Sequence, residues 1–316
     1  MSIRIGIIIG SSRLFGGARD LAFDVVDSIL RSSHRLSVVF AESADPILSY
    51  NSLRQFGTAA FSLPEIFCGS YNEIRQEITK PRFLENLNLL KKIHFDLGIS
   101  FYSNWLPPAV IDLPRLGFIN IHPSPLPMLT GYEAERFHVL TNRRKSWGTI
   151  HYLAEKFDTG NILAYGDVVE LPENMTPMTV YEQLISNAIP ALHRVLNDFA
   201  SGKSMVGEIQ DESKRTYATH KNAIEESIIQ WETDTNLKLD CRRRAYCTTN
   251  DGLTLKAKIE GQLHEISDLM PLPNDNLVSY NVVQWGQKIG EYKQAGKFYN
   301  NPIIKTLEGV AVVKIM

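Results

Sequence analysis

The chain has 316 residues, 44% of them hydrophobic and 22% charged, an ordinary globular composition with enough length for two cores. Its 33 basic and 35 acidic side chains leave a net charge of −2, which gives no broad electrostatic basis for binding nucleic acid or an anionic membrane. Three widely spaced cysteines (Cys68, Cys241 and Cys247) form no CxxC pair and suggest neither a disulfide framework nor a zinc site, and no stretch approaches the ~18 apolar residues of a spanning helix.

The first element is a short apolar run, Ile5–Ile9, which ends in Gly10-Ser11-Ser12. It reads as a buried strand and lacks the charged-then-apolar layout of a signal peptide, so a cytoplasmic location is expected. An amphipathic stretch over Leu21–Leu30 predicts a helix and Ser37–Phe40 a second strand, a rhythm expected of a parallel sheet with crossover helices. Leu84–Ile93 places Leu87, Leu90 and Ile93 at helical spacing, and Leu97–Phe101 resumes a strand. A short helix near Pro108–Asp112 leads into another buried strand, Gly117–His122. Gly148–Leu153 and Asn161–Tyr165 read as a strand pair around Phe157-Asp158-Thr159-Gly160. In the long helix that follows, Thr176 is a plausible cap and Pro177 suits the first turn. Val180, Leu184, Ala188 and Leu192 share one face, and the helix should end near Gly202.

Beyond about residue 205, polar segments alternate with short β-type runs: Leu253–Ile259, Val282–Trp285 and Val310–Ile315. Turn signals at Asn250-Asp251-Gly252 and Glu308-Gly309 separate them. The expected fold class is α/β, with a doubly wound parallel sheet over residues 1–204 and a smaller β-rich domain over 205–316.

Some features suggest more than they deliver. Gly10-Ser-Ser-Arg-Leu-Phe-Gly16-Gly17 follows the first strand but matches neither GxGxxG nor GxxxxGK[ST], so it reads as a plain turn. Arg242-Arg243-Arg244 is a dense basic run, read as a solvated face with phosphate contact as the alternative. His34, His94, His193 and His220 stand alone in sequence, and His138 and His264 have no evident partner. His151 lies near the candidate site, but its strand leaves open which way it faces.

Phe118-Ile119-Asn120-Ile121-His122-Pro123-Ser124 is different in kind. Side chains alternate along a strand, so Asn120 and His122 share a face while Ile119 and Ile121 pack on the other. Pro123 ends the strand, which puts an amide and an imidazole at the carboxyl end of a parallel strand, where open α/β sheets bind ligands. A purely structural polar pair is the competing reading. Asp158, in a Gly-bounded loop, is positioned to orient an imidazole or accept a proton. Ser124 adjoins His122 without a GxSxG turn, which argues against a serine nucleophile.

Leu113–Pro127, with Asn120 and His122 inside it, resembles the signature of the folate-dependent formyltransferases, a family that includes methionyl-tRNA and nucleotide-sugar enzymes. Gly148-Thr-Ile-His151 and Phe157-Asp-Thr-Gly160 follow at the family's separation. Gln210–Tyr217 resembles its connector, and Ile228–Trp231 the start of its carboxyl-terminal domain. The resemblance is most specific over residues 113–165. It implies a Rossmann-like catalytic domain, an OB-like second domain and 10-formyltetrahydrofolate as donor, with no metal. It further implies catalysis by Asn120, His122 and Asp158, with the pteridine against Phe101, Tyr102, Ser103, Asn104, Trp105 and Leu106 and against Glu155, Lys156, Phe157 and Asp158.

The sequence departs from the family after Pro127. Many relatives carry an Arg-Gly pair there, whereas this chain has Met128-Leu129-Thr130-Gly131, followed by Tyr132-Glu133-Ala134-Glu135-Arg136-Phe137-His138. The expected basic loop is also missing: Ala41–Phe67 contains Arg54 against Glu42, Asp45 and Glu65. Both departures favour the amine of a small molecule, such as a nucleotide-linked amino sugar or an amino-acid-like metabolite, over methionyl-tRNA. Glu133 and Glu135 read either as solvated helix residues or as contacts for such an acceptor. A folate-binding protein without catalysis, or a hydrolase that deformylates the carrier, are the other readings.

Overall fold

The structure is a computed structural model that describes residues 1–9, 24–41, 59–62, 81–101, 105–249, 251–273, 286–291 and 301–316. In chain order its elements are β1 (Arg4–Ile9), α1 (residues 24–30), β2 (Arg35–Ala41), β3 (Ala59–Ser62), α2 (Pro81–Lys92), β4 (Leu97–Phe101), α3 (Pro108–Ile111) and β5 (Phe118–His122). Then come α4 (Ala134–Leu140), β6 (Lys145–Ser146), β7 (Thr149–Tyr152), β8 (Ile162–Tyr165), β9 (Val169–Glu170), α5 (Pro177–Ala200), α6 (His220–Glu226) and α7 (Asn236–Tyr246). The remainder is strand: β10 (Leu255–Ile259), β11 (Gln262–Pro273), β12 (Lys288–Glu291), β13 (Pro302–Thr306) and β14 (Gly309–Ile315). Two compact units result. The first comprises Met1–Gly131, Lys145–Glu170 and Tyr181–Tyr217, the second Tyr132–Arg144, Leu171–Val180 and Ala218–Met316.

The first unit is built on a seven-stranded sheet in the order β3-β2-β1-β4-β5-β7-β8. The pairs from β3 through β5 are parallel, while β7 and β8 join antiparallel. Order reverses where β2 and β4 flank β1, the doubly wound arrangement expected from the sequence. Ile5, Ile7, Ile8, Leu97 and Ile99 are buried, as strands covered on both faces require. Leu87 and Leu90 of α2, Val110 of α3, and Phe95 and Phe118 form one cluster, the two rings meeting edge-on at 6.0 Å. On α5 the predicted face is buried at Leu184, Ala188 and Leu192. Its start is capped as expected: the Thr176 hydroxyl accepts from the Thr179 amide at 3.2 Å. Gly10–Gly17, Cys68 and most of Ala41–Phe67 lie outside the described residues, as does Val282–Trp285.

The second unit contains an antiparallel sheet in the order β10-β11-β14-β13-β12, the β-rich part expected after residue 205. It also contains two helices that the sequence reading passed over, α6 and α7. Both have threonine caps: Thr219 accepts from Asn222 at 3.2 Å and Thr235 from Lys238 at 3.1 Å.

The Arg242–Arg244 run is neither a solvated face nor a phosphate patch. Arg242 and Arg244 are buried, Arg242 against Asp234 at 2.8 Å and Glu226 at 3.1 Å, Arg244 against Asp240 at 2.7 Å. Glu133 and Glu135 are likewise buried, not solvated. Glu133 pairs with Arg136 at 2.9 Å and with His220 at 3.0 Å, so His220 does have a partner. Arg136 also holds Asp251 and the Ala245 carbonyl, with its guanidinium 4.7 Å from the Tyr246 ring centre.

Candidate active site

The sheet register assembles the site. Asn120 on β5 lies opposite His151 on β7, and His122 opposite Thr149. Residues directly opposite in an antiparallel pair project to the same face, so His151 joins the face already shared by Asn120 and His122. Their backs, Ile119, Ile121 and Ile150, are buried. Thr149 locks the strand exit, donating to the Ser124 carbonyl at 2.6 Å and accepting from the Leu126 amide at 3.2 Å.

Hydrogen bonds fix how each ring nitrogen is used. His151 Nδ1 is 2.8 Å from the Tyr152 carbonyl, which can only accept, so Nδ1 carries the proton. In the neutral ring Nε2 is then an acceptor, and the Asn120 amide donates to it at 3.3 Å. Complete burial pushes the His151 pKa down to about 4, against the opposing pull of Asp158, with His122 adding to the lowering. His151 is therefore neutral near pH 7 and sets the orientation of the Asn120 amide. His122 Nε2 lies 3.1 Å from the Leu129 carbonyl and must donate to it.

Asp158 stands between the two imidazoles. Its Oδ1 is 3.7 Å from His122 Nδ1 and 3.7 Å from His151 Nε2, while Oδ2 accepts from the Gly131 amide at 2.9 Å. The two longer separations exceed a hydrogen bond, so neither ring saturates that carboxylate oxygen. The backbone at Asp158 is left-handed (φ 53°), an uncommon conformation for a residue other than glycine and one that Asp tolerates comparatively well. Gly160 completes the turn: a Cβ there would lie 1.8 Å from the Tyr152 carbonyl oxygen.

The residues expected near the donor divide into three groups. Trp105 donates from Nε1 to the Glu155 carbonyl at 2.7 Å, which ties the segment before α3 to the turn that carries Asp158. Glu155, Lys156 and Phe157 are exposed on that turn. Phe101 and Leu106 are buried, Phe101 edge-on to Tyr181 at 6.3 Å and Leu106 within the core cluster of β1, α2 and α3. Tyr102, Ser103 and Asn104 lie outside the described residues. Ser124 is fully buried and donates to the Met128 carbonyl at 2.8 Å. Among the described residues, no group of three or more His, Cys, Asp or Glu side chains could hold a metal ion, and no helix is long and apolar enough to cross a membrane.

His151 is the residue whose placement the sequence left open. Its spacing from Asn120 was visible, but only strand pairing decides its face.

Residues 51–196 match the family model for formyl transferase. Among solved structures, HypX from Aquifex aeolicus aligns with 99% of this chain at 14% identity and a TM-score of 0.58, the chain spanning 45% of HypX. HypX has also been solved in complex with tetrahydrofolic acid. A sugar N-formyltransferase from Shewanella sp. aligns with 84% of this chain and 96% of its own length, at 18% identity and a TM-score of 0.54. A 4-N formyltransferase from Francisella tularensis aligns with 84% of this chain and 98% of its own, at 16% identity and a TM-score of 0.55. At these identities the solved structures establish the shared fold.

Proposed function

From the match of residues 51–196 to the family model for formyl transferase, we propose that this chain moves a formyl group from 10-formyltetrahydrofolate to the amine of a small molecule. The observation that carries the proposal is the convergence of Asn120, His122, His151 and Asp158 at the carboxyl end of β5, with Trp105 joined to the Asp158 turn. We read residues 1–204 as the catalytic portion, 205–316 as a β-rich portion, and the setting as cytoplasmic.

The donor supplies an electrophilic formyl carbon attached to nitrogen. The residues present suit it: the backbone turn at Glu155–Asp158 is held by Trp105, and Phe157 is half-exposed beside it. Of the two Asn120 amide hydrogens, one goes to His151 and the other remains to bond a formyl oxygen as negative charge develops there. His122, fixed at one nitrogen by Leu129, offers its second nitrogen on the Asp158 side. Asp158 keeps an unsaturated oxygen, which suits it to take the proton released by an attacking amine.

The acceptor is read as small, in line with sugar N-formyltransferases among the structural neighbours and with the acidic balance of Ala41–Phe67. The test offers 10-formyltetrahydrofolate and a panel of amines, nucleotide-linked amino sugars included, and follows tetrahydrofolate release and N-formyl product by mass. Asn120→Ala should lower kcat by about 10²–10³, the usual effect of losing one oxyanion donor. Donor binding without tetrahydrofolate release for any amine would leave a folate-binding protein instead of an enzyme.

A further inference from the structure

The active group does not hold itself. Asp158 sits on a turn in left-handed backbone, and His122 leans on a loop carbonyl, so both depend on what fixes those two loops. One short segment fixes both. Gln210 donates from Nε2 to the Asp158 carbonyl at 2.8 Å and to the Gly160 carbonyl at 2.7 Å, gripping the turn from behind. Arg215 donates through Nη1 to the Thr130 hydroxyl at 2.7 Å, reaches the Asp158 carbonyl at 3.5 Å, and binds the Gln210 side-chain oxygen through Nη2 at 3.1 Å. Thr216 accepts from the Leu129 amide at 2.9 Å through its hydroxyl and from the Thr130 amide at 2.8 Å through its carbonyl. Leu129 is the residue whose carbonyl accepts from His122, and Gly131 supplies the amide that holds Asp158.

We infer that Gln210 and Arg215 are positioning residues for formyl transfer, the two side chains of a strap that sets the Asp158 carboxylate between His122 and His151. The inference rests on the proposed roles of Asn120, His122 and Asp158.

Burial and charge support a placement role. Only 3% of the Arg215 side chain is exposed, whereas its partner Glu212 is 69% exposed, so the guanidinium is drawn inward while its counter-ion remains in water. Glu212 neutralises it through a two-pronged contact at 2.5 and 2.7 Å. The remaining donors are then free to order neutral oxygens around the turn. That geometry requires a planar fork, which a lysine ammonium does not reproduce. Neither Gln210 nor Arg215 hydrogen-bonds a side chain of Asn120, His122 or His151, although the Arg215 charge adds to the lowering of the His151 pKa. Each acts through the Asp158 turn and the loop at Thr130.

The experiment measures kcat, KM for the amine and the dissociation constant for 10-formyltetrahydrofolate in the full chain, with kcat expressed per donor-binding molecule. Gln210→Met and Arg215→Lys are compared with wild type and with His122→Ala. A loosened carboxylate should lower kcat by about 10- to 100-fold, the scale expected when a reacting group is misplaced by about 1 Å. Donor affinity should change by less than about threefold, and KM little. A merely structural role would instead reduce the number of donor-binding molecules and leave kcat per molecule intact, and that result would overturn the inference. So would wild-type kcat in both variants while His122→Ala is inactive. If His122→Ala matches wild type, the proposed active group itself is wrong, a distinct outcome. If one variant does not fold, the other decides, and Gln210→Glu provides a third: a carboxylate facing two carbonyl oxygens should cut kcat at least as deeply as the methionine.

Discussion

His151 shows how burial turns a titratable side chain into a fixed one. Its pKa falls from 6.5 to about 4, so between those values the unfolded chain binds a proton that the folded chain refuses. Its contribution to stability is thus complete above pH 6.5 and is lost as the pH falls through about 4, worth on the order of 3 kcal/mol over that window. Urea unfolding at pH 7 and at pH 4.5 should show the wild type losing more stability than His151→Gln. Equal losses would mean that the ring is protonated in place. His122→Ala, with donor binding retained, should lose turnover by orders of magnitude. At this scale Asn120 and His122 were legible because a period of two fixes a shared face from spacing alone. His151 was not, since its face depends on the register of two strands remote in sequence. Nor were the burial of Arg242, Arg244 and Glu133 legible, because charged residues go inside only when a partner is there, and Asp234, Asp240 and His220 come from other elements or other turns.

Elements were read well where their apolar period is regular. β1, β4, β5 and α5 match their predicted spans closely because buried strands and a one-faced helix leave unambiguous patterns. α7 was missed for a physical reason: its inward side includes Arg242 and Arg244, so ion pairs occupy positions where periodicity would show leucines. Thr235 caps its start, and Thr235→Ala should cost about 1 kcal/mol of stability, read from the midpoint of chemical unfolding. The turn after β7 offers a sharper prediction. Gly160→Ala would set a methyl 1.8 Å from the Tyr152 carbonyl oxygen, so the turn must shift. We expect about 1–3 kcal/mol of destabilisation, together with a drop in kcat, because the displaced Gly160 carbonyl is one of the two that Gln210 holds. Destabilisation with unaltered kcat would show that the turn absorbs the methyl without moving Asp158.

For the molecule as a whole, whose net charge is −2, the response to salt separates two classes of acceptor. An enzyme that makes six to ten phosphate contacts with tRNA loses about 10³–10⁵ in affinity between 50 and 200 mM salt. We expect formyl transfer to a small amine to vary far less across that range, measured as kcat/KM at each salt concentration. A steep decline restricted to tRNA would make tRNA the acceptor.

The strap has a consequence in the order of synthesis. Gln210 follows Asp158 by 52 residues, so a ribosome emits every member of the active group, and then all of α5, before it emits the side chain that grips the Asp158 turn. A nascent chain paused within α5 would carry the chemical groups without their brace, so on the proposed function full-rate transfer is expected only once residues 210–217 have left the exit tunnel.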